Sequence, residues 1–535
     1  MSVSDRRQAD AAERGDDGLP FAPDLQRAID EIIECYQRGD YRALLTLLRV
    51  YSIEVWLGLR IDRLRGMLQH VAATGGEEGR EAQHLCDTVW GDSATGARSM
   101  ISALCPQDPR LEKLWQVNEL WMSGRSVDAV ALLDPPRLAA HPVAATLDPF
   151  TGWNLICMNQ YGMVHMLSND PAASLIYFTA AQLQPVQPTL ASLTRSAYVK
   201  HALVHALFGD REASRRSLVR ANAIARTSSW MEPSLDAESV LAMAVLEEHS
   251  VDESVEMIDS IPLSDIGTSW SYYMVAMVRI LLRAGMMEDT LERLKELQAV
   301  GFPGEPGCGL EGSIFPVMHC YTRLRLGEFD GVSALLDQAD PDCPLTICAR
   351  GQVAIVQGEF RHAMEYAVQL EKVSDGLAQM RSAARSIAAS AHVGLGNDTE
   401  AIRVLELLAS TLDSYSMQYL GVLSAEARAF AQSRVDGWQS LDQSLPPSAR
   451  TQPLIRLTRR EAQVLALLAT DATRAEIAEE MFISVNTLKS NIATLYRKLS
   501  AATRDEALEN AYRIGLLGDA AGVVMRRDAA RTATG

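Results

Sequence analysis

One short pattern recurs along the first three-quarters of this 535-residue chain and constrains its fold more than any other feature. In the typical copy an apolar segment ends in glycine, a polar or acidic residue follows, and the next apolar segment carries a small residue four positions after the glycine, as at Gly39 and Gly209, or five, as at Gly124, Gly358 and Gly396. Degenerate copies lie near Ser250 and at Gly285, and from Gly209 onward the repeat averages about 37 residues. The clear copies begin at Gly39, Gly124, Gly209, Gly327, Gly358 and Gly396.

The residues between these turns predict helices. Apolar positions recur at steps of three and four, as in Ala197, Leu203, Val204 and Leu207, which is the spacing of one helical face. Glycine reaches the left-handed conformation that ends a helix, and a small residue lets the next helix pack closely. We therefore predict an all-α chain of helical hairpins. In period it resembles a diverged tetratricopeptide-like superhelical domain, whose units have about 34 residues.

Composition divides the chain into a helical region and a separate C-terminal module. Polar residues dominate the first segment, and proline and glycine mark the interruptions. The predicted parts are a disordered leader (1–23), a helical-repeat domain (24–432) with an irregular loop (301–312), a linker (433–452), a helical module (453–518) and a flexible tail (519–535).

The C-terminal module has start signals for four short helices. Capping boxes begin at Thr458, Thr473 and Thr503, each with a glutamate three residues later that can reach back to the threonine amide. Ser484 supplies a fourth N-cap, after a tight turn over residues 481–483 that has helix-turn-helix length. The predicted helices, which share one small apolar core, are 459–469, 474–481, 485–499 and 504–516.

The third of these helices has an outward face without acidic residues. An N-capped helix with a face rich in hydrogen-bond donors suits insertion into a major groove lined by phosphates. The alternative, a solvated helix of a bundle, usually mixes acidic residues among its lysines. The residues predicted to contact DNA from this helix are Asn486, Thr487, Lys489, Ser490, Asn491, Ala493, Thr494, Arg497 and Lys498.

Residues 457–517 resemble the LuxR-type (GerE-type) DNA-binding domain. This resemblance implies a helix-turn-helix fold and a transcriptional regulator that binds promoter or operator DNA as a homodimer, with RNA polymerase as a further partner. The motifs that carry it, in order, are Leu457-Thr-Arg-Arg-Glu-Ala-Gln-Val-Leu465, Ala475-Glu-Ile-Ala478, Phe482-Ile-Ser-Val-Asn-Thr-Leu-Lys489 and Leu495-Tyr-Arg-Lys-Leu499.

The resemblance also implies a role for each residue of the recognition helix. Lys489 and Ser490 are expected to face base edges, with Ala493 one turn further on. Thr487 and Asn491 are expected to contact phosphates. Asn491 stands where the family often has histidine, and Ala493 offers no hydrogen bond, so the target sequence read by this face stays open.

Residues outside that helix receive supporting roles from the same resemblance. Arg474, Arg497 and Arg504 are expected to reach the flanking DNA backbone, and Glu461 to tie the first helix to the rest of the fold. Asp471 replaces the glycine that the family usually has in the turn after the first helix. Aspartate tolerates left-handed geometry better than most residues, so we expect the turn to form.

The region ahead of the module excludes several input domains found in LuxR-type proteins. A phospho-receiver needs alternating strands and helices, and an acyl-homoserine-lactone domain is a shorter α/β unit. The region ahead of this module is longer than either domain and shows only helical spacing. The order of superhelix, linker and DNA-binding module resembles the large ATP-binding regulators of the maltose-regulator type. The phosphate-binding motif Gly-x4-Gly-Lys-[Ser/Thr] occurs nowhere, however, so we expect a relative without the NTPase module.

No catalytic constellation stands out, so we predict neither an enzyme nor a cofactor. His319-Cys320, with Cys343 and Cys348 further on, is a weak metal pattern that is more typical of buried structural cysteines, and no metal site is predicted. Eight irregularly placed cysteines, together with the lack of a signal peptide or long apolar stretch, indicate a cytoplasmic protein that does not bind membranes.

Charge separates the two regions. The chain has 50 Lys+Arg and 68 Asp+Glu, a net charge of −18, which argues against DNA contact along its whole length. Residues 451–535, by contrast, hold 12 basic and 10 acidic residues, a net +2, which leaves −20 for residues 1–450.

Two hypotheses about the function of the whole chain remain open. In the first, the chain is a regulator whose repeat region senses a small effector or a protein. In the second, it is an interaction scaffold or anti-activator with a secondary DNA module.

Overall fold

The computed structural model describes residues 25–90, 109–133, 152–246, 249–411, 423–438, 459–470, 472–499 and 501–513. The chain divides into two compact units. The first consists of residues 1–277 and 302–313, and the second of residues 278–301 and 314–535. All regular structure in the described ranges is helical, which confirms the prediction of an all-α chain. None of these helices is both long enough and apolar enough to span a bilayer.

The helices up to residue 438 follow one another with short connections. In chain order they are α1 (Leu25–Arg38), α2 (Tyr41–Val50), α3 (Ser52–Gly58), α4 (Ile61–Ala73), α5 (Gly76–Trp90), α6 (Pro109–Met122), α7 (Ser126–Leu132), α8 (Trp153–Leu167), α9 (Pro171–Gln182), α10 (Ala191–Phe208), α11 (Arg211–Asn222), α12 (Glu232–Val245), α13 (Val251–Asp259), α14 (Leu263–Ile266), α15 (Trp270–Arg283), α16 (Met287–Val300), α17 (Gly309–Leu326), α18 (Val332–Leu336), α19 (Pro344–Gln357), α20 (Phe360–Lys372), α21 (Ala378–Gly394), α22 (Asp398–Thr411) and α23 (Ala425–Arg434).

Neighbouring helices pack as hairpins across the predicted turns. Helix α6 packs on α7, α10 on α11, α19 on α20, and α21 on α22. Helix α8 also packs on α9, across a turn that the glycine pattern did not mark. Asp40 and Asp210 begin the second helices of two of these turns, since each carboxylate accepts a hydrogen bond from the backbone N–H three residues later. The expected left-handed glycines are found at Gly39, Gly124, Gly285, Gly327, Gly358 and Gly396.

Gly209 is the exception among the turn glycines. Its φ is −111°, outside the left-handed region that we expected. A side chain is excluded there for another reason, because a Cβ atom on Gly209 would lie 2.3 Å from Nδ1 of His205. That nitrogen accepts a hydrogen bond from the N–H of Asp210 at 3.0 Å, which ties the residue after the glycine to α10.

In these second helices the buried position is the fifth after the glycine, as the pattern has it at Gly124, Gly358 and Gly396, and one residue later than the pattern has it at Gly39 and Gly209. Ala43 and Ala213, four positions after their glycines, are only half-buried. Most second helices begin two residues after the glycine, so the fifth position is one turn inside the helix and faces the partner helix. The residues fully buried at this fifth position are Leu44, Ala129, Ser214, Thr290, Ala363 and Ala401.

The helical region extends beyond residue 432, where we expected the linker to begin. Val435 and Trp438 are buried, and the indole of Trp438 is 1% exposed. Both pack against Leu405, Leu408 and other apolar residues of α22 and α23. The polar composition of this segment predicted a linker and did not reveal the contact, because a single buried tryptophan can complete a core even when the residues around it are polar. The remaining predicted linker, the leader and the tail lie outside the described residues.

The glycine-rich segment packs against the first unit. Its irregular part ends earlier than the expected residue 312, since α17 begins at Gly309. The ring of Phe302 stacks on Trp270, with ring centroids 4.8 Å apart and an interplanar angle of 11°. The N–H of Glu305 donates to the carbonyl of Gly124 at 3.2 Å. The segment is therefore packed on this unit as well as being a connector.

Glu311 lies under this segment as a buried acid. Burial raises its pKa to about 8, although hydrogen bonds with Trp270 and Ser126 act to lower it. Desolvation is the larger of these opposing effects. This arrangement favours the protonated carboxyl at neutral pH.

Glu311 predicts a pH dependence of stability. Its folded pKa is raised above the ordinary value of 4.5, so the folded chain holds a proton that the unfolded chain releases. We therefore expect the free energy of unfolding to fall as the pH rises from about 4.5 to about 8, with no further loss from this group above that range. Urea unfolding of the parent and of Glu311→Gln over this range measures the effect. An equal slope in both proteins would contradict it.

Two ion pairs are buried between α10 and α12. Lys200 Nζ donates to both carboxylate oxygens of Glu238 at 2.7 Å, and Ser269 Oγ donates to Glu238 Oε1 at 2.6 Å. Arg195 forms the second ion pair, with the buried carboxylate of Glu232. Because every charge in this layer has a partner, the layer tolerates burial that an isolated charge would not.

Candidate nucleic-acid interface

Residues 459–513 contain four helices around one core. They are α24 (Arg459–Leu468), α25 (Arg474–Glu480), α26 (Val485–Lys498) and α27 (Arg504–Arg513), within one or two residues of the predicted starts and ends except for the last end, which falls outside the described residues. The buried core contains Val464, Leu465, Leu468, Ile477, Ala478, Leu488, Ile492, Leu495, Leu499, Ala507, Leu508 and Ala511.

Local capping explains where these helices begin. At α25 the Thr473 hydroxyl accepts from the N–H of Glu476, whose carboxylate accepts from the N–H of Thr473 at 2.7 Å. These hydrogen bonds hold the pKa of Glu476 below its usual range. Thr503 and Glu506 form the same reciprocal pair at α27. Ser484 caps α26 by accepting from the N–H of Thr487 at 3.1 Å. Thr458, the first predicted box, lies outside the described residues, as does Asp471.

The outer face of α26 is accessible and carries no carboxylate. The exposed members are Asn486, Thr487, Lys489, Ser490, Ala493 and Arg497, while Asn491, Thr494 and Lys498 are partly buried. The side-chain nitrogen of Asn491 is covered and has no hydrogen-bond partner among the described residues. Its amide must turn outward to reach a phosphate.

Two of the predicted DNA-contacting cations are bonded within the domain. Lys498 Nζ donates to Glu461 Oε2 at 2.9 Å, which ties the end of α26 to α24. Arg504 Nε donates to the carbonyl of Leu468 at 2.9 Å, and its Nη2 donates to the carbonyl of Thr470. Arg504 thus caps the C-terminal end of α24.

Like Lys489 and Arg497 on α26, Arg474 is exposed, and it stands at the first position of α25. Arg474 and Arg504 both lie near the phenol of Tyr496, whose pKa is raised by burial and lowered by these two guanidinium groups. Asp505 lies near the same phenol and acts in the opposite direction, so the charges around Tyr496 are mixed.

Asn510 is a positioning residue that the sequence did not reveal. Its Nδ2 donates to the carbonyl of Leu499 at 2.9 Å and so satisfies the C-terminal end of α26 from α27. The two residues are 11 positions apart and share no local motif, so no sequence pattern could have identified the pair.

The cysteines of the weak metal pattern are buried thiols. Burial raises the pKa of Cys320 to about 12 and that of Cys343 to about 11, and it lowers the pKa of His319. Within the described ranges, no three His, Cys, Asp or Glu side chains are grouped so as to hold a metal ion.

Comparison with known proteins places the resemblance in this module. The matching relatives include the HTH-type transcriptional activator RamA of Corynebacterium glutamicum, which is 45% identical over 76 residues. They also include the HTH-type transcriptional regulator MalT of Yersinia pestis, which is 40% identical over 70 residues. These segments cover 14% and 13% of this chain. They cover only 27% of RamA and 7% of MalT, so the chain matches a minor part of each relative.

A solved structure matches over a greater length. It is the crystal structure of the APC/C hetero-tetramer Cut9-Hcn1, with 13% identity, 92% of this chain and 87% of that chain covered, and a TM-score of 0.39. That score is too low to establish a common fold, so the description of the hairpins above is based on this chain's own helices. The family model of bacterial regulatory proteins of the luxR family matches residues 456–511. These residues therefore form a domain of the luxR family of bacterial regulatory proteins.

Proposed function

We propose that this chain is a DNA-binding transcriptional regulator in which α26 reads the major groove. The single observation that carries the proposal is the exposed, acid-free face of α26, capped at its N-terminal end by Ser484. Positive and hydrogen-bonding side chains on such a helix complement both the base edges and the phosphates. The names of the relatives, a transcriptional activator and a transcriptional regulator, support the same role.

The exposure and hydrogen bonding of individual side chains support a division of roles within this proposal. Lys489 and Ser490 face base edges, with Ala493 beside them, and Arg474 and Arg497 contact flanking phosphates. The other proposed contacts from α26 are Asn486, Thr487, Asn491 and Thr494. Lys498 and Arg504, predicted as DNA contacts, are bonded inside the domain, so in this proposal they act mainly by holding α26 in place.

We also propose that the helical region controls the DNA-binding domain. Repeats of helical hairpins present long surfaces for ligands and proteins, and this one precedes the DNA-binding domain in the chain. We infer that it senses a small effector or a protein partner in the cytoplasm. A homodimer on DNA fits the two-fold half-sites that helix-turn-helix domains usually read.

Lys489→Ala tests the DNA contact. We expect this change to weaken binding to a DNA site selected with the full chain by about 1–3 kcal/mol and to relax base preference at one position. Lys372→Ala is the matched control, because it removes an exposed lysine from α20 in the helical region. Mobility shifts at several salt concentrations measure both variants. Equal affinity of Lys489→Ala and the control at every site would refute the placement of α26, and no salt-dependent shift by the parent would refute DNA binding itself.

A further inference from the structure

A groove lies where α1 and α4 of the first unit face each other. Its volume is about 440 Å³, within the range of about 300–1,000 Å³ that is usual for small-molecule sites. The residues that line it recur at steps of three and four along each helix, so each wall is one continuous helical face. They are Ile33, Tyr36 and Gln37 of α1, and Arg63, Gly66, Met67 and His70 of α4. We call this feature the α1–α4 groove.

The inner part of the groove is apolar and aromatic. Met67 is buried, and Ile33 and Tyr36 are half-buried. The ring centroids of Tyr36 and His70 are 5.7 Å apart, and the two rings are inclined at 73° to each other. Rings in this arrangement offer a third ring both a face and an edge, and a methionine sulfur also favours aromatic neighbours. The interior therefore suits a flat aromatic body.

Gly66 leaves part of the groove without a side chain. Glycine is among the least favourable residues in the interior of a helix, and close packing against a neighbour is a common reason for one. Here a Cβ atom would meet no other atom within 4 Å, so packing does not require glycine. The missing side chain instead keeps the groove wide, and a large residue at this position would fill it.

Arg63 gives the groove a positive charge. It is exposed, and the lining residues include no carboxylate. Two nearby acids have other partners, since Glu34 bonds Arg38 at 3.1 Å and Asp62 lies 3.9 Å from Arg60. Among the described residues Arg63 has no ion pair. A guanidinium group binds a carboxylate through two parallel hydrogen bonds, so Arg63 is suited to an anionic ligand.

We propose that the α1–α4 groove binds a small carboxylate with an aromatic body. The ring packs against Tyr36, Met67 and His70, and the carboxylate pairs with Arg63. A compact hydrated anion such as phosphate would use the arginine alone and leave the apolar interior in water, whereas an uncharged ring would leave the arginine unused. The inference rests on the proposed function and deepens it, because it names the chemical class of the effector that the helical region senses.

The experiment measures ligand binding to the full chain by calorimetry. The probe is cinnamate, and its amide, cinnamamide, keeps the shape without the charge. Arg63→Gln removes the guanidinium group, and Gly66→Leu fills the groove. Arg60→Gln and Gln69→Leu are the matched controls, because they make the same kinds of change at exposed positions beside or on α4 that do not line the groove.

We expect the parent and both controls to bind cinnamate with a Kd below about 1 mM, as a ligand of this size allows. Both groove variants should bind it at least about tenfold more weakly, and cinnamamide should bind the parent about tenfold more weakly than cinnamate does. No binding by the parent would overturn the inference, as would groove variants that match their controls. Equal affinity for the amide and the acid would also overturn it, because the ligand would then not be recognised by its charge.

Mobility shifts separate this inference from the proposed function. Saturating cinnamate is expected to change the affinity of the parent for the selected DNA site by about fivefold or more and to leave that of Arg63→Gln unchanged. Cinnamate that binds without changing the DNA affinity would overturn the role of the groove as the effector site. A parent that binds no DNA would instead refute the proposed function, whatever the calorimetry shows.

Discussion

Replacing Lys200 by methionine is expected to lower the free energy of unfolding of the first unit by about 3–5 kcal/mol. Lys200 and Glu238 are almost fully buried, and each oxygen of the carboxylate accepts from Nζ at 2.7 Å. Without the ammonium group, the carboxylate remains in a low-dielectric interior, where the hydroxyl of Ser269 still donates to it but cannot balance its charge. The loss is therefore the cost of an unpaired buried charge rather than the value of the pair.

A second change tests that explanation. Adding Glu238→Gln to Lys200→Met removes the unpaired charge, and the amide oxygen can still accept from Ser269, so we expect most of the stability to return. Arg38→Met is the control for an exposed pair, since Arg38 bonds Glu34 at 3.1 Å with both side chains mostly exposed. It should cost well under about 1 kcal/mol. Urea unfolding followed by tryptophan fluorescence measures all three proteins, and equal losses in the single and double variants would contradict the charge argument.

Leu488→Ala is expected to unfold most of the DNA-binding domain. Leu488 is fully buried in a core of twelve residues, and truncating a buried leucine costs about 2–5 kcal/mol. A domain of this size has only about 3–5 kcal/mol of stability in total. The change removes no DNA-contacting group, yet it should abolish DNA binding because α26 loses the surface on which it packs.

The positions of the tryptophans make this loss easy to localise. All eight precede residue 439, so tryptophan fluorescence should not change, while hydrogen exchange should become fast across residues 459–513. Leu395→Ala, which truncates a partly exposed leucine after α21, is the control and should leave both signals near those of the parent. Slow exchange in α24–α27 of Leu488→Ala would show that the core tolerates the cavity and would contradict the prediction.

Much of the candidate interface could be predicted from the sequence because its determinants are local. The pairs Thr473–Glu476 and Ser484–Thr487 lie three residues apart, so the residues that start α25 and α26 can be recognised without any tertiary contact. The same holds for the apolar spacing that turns Leu488 inward. These features gave the helix bounds and the acid-free face of α26.

Contacts between distant residues changed the interpretation of individual side chains. Lys498 and Arg504 belong to the basic set in sequence, but their partners lie 37, 36 and 34 residues away, and only folding shows that they hold helices together. Phe482 is an ordinary apolar residue in the sequence. Its exposure and left-handed backbone became apparent only in the structure.

The sequence by itself determined the helical composition, the positions of the turns and the presence of a luxR-family domain, because helix spacing, caps and motifs act over a few residues. Tertiary structure decided which residue after each turn is buried and why a side chain is excluded at Gly209. It also decided that Lys200 pairs with Glu238, which lies 38 residues away in the chain. Burial and charge pairing depend on what lies opposite in space, and a linear pattern carries that information only when the partners are neighbours in the chain.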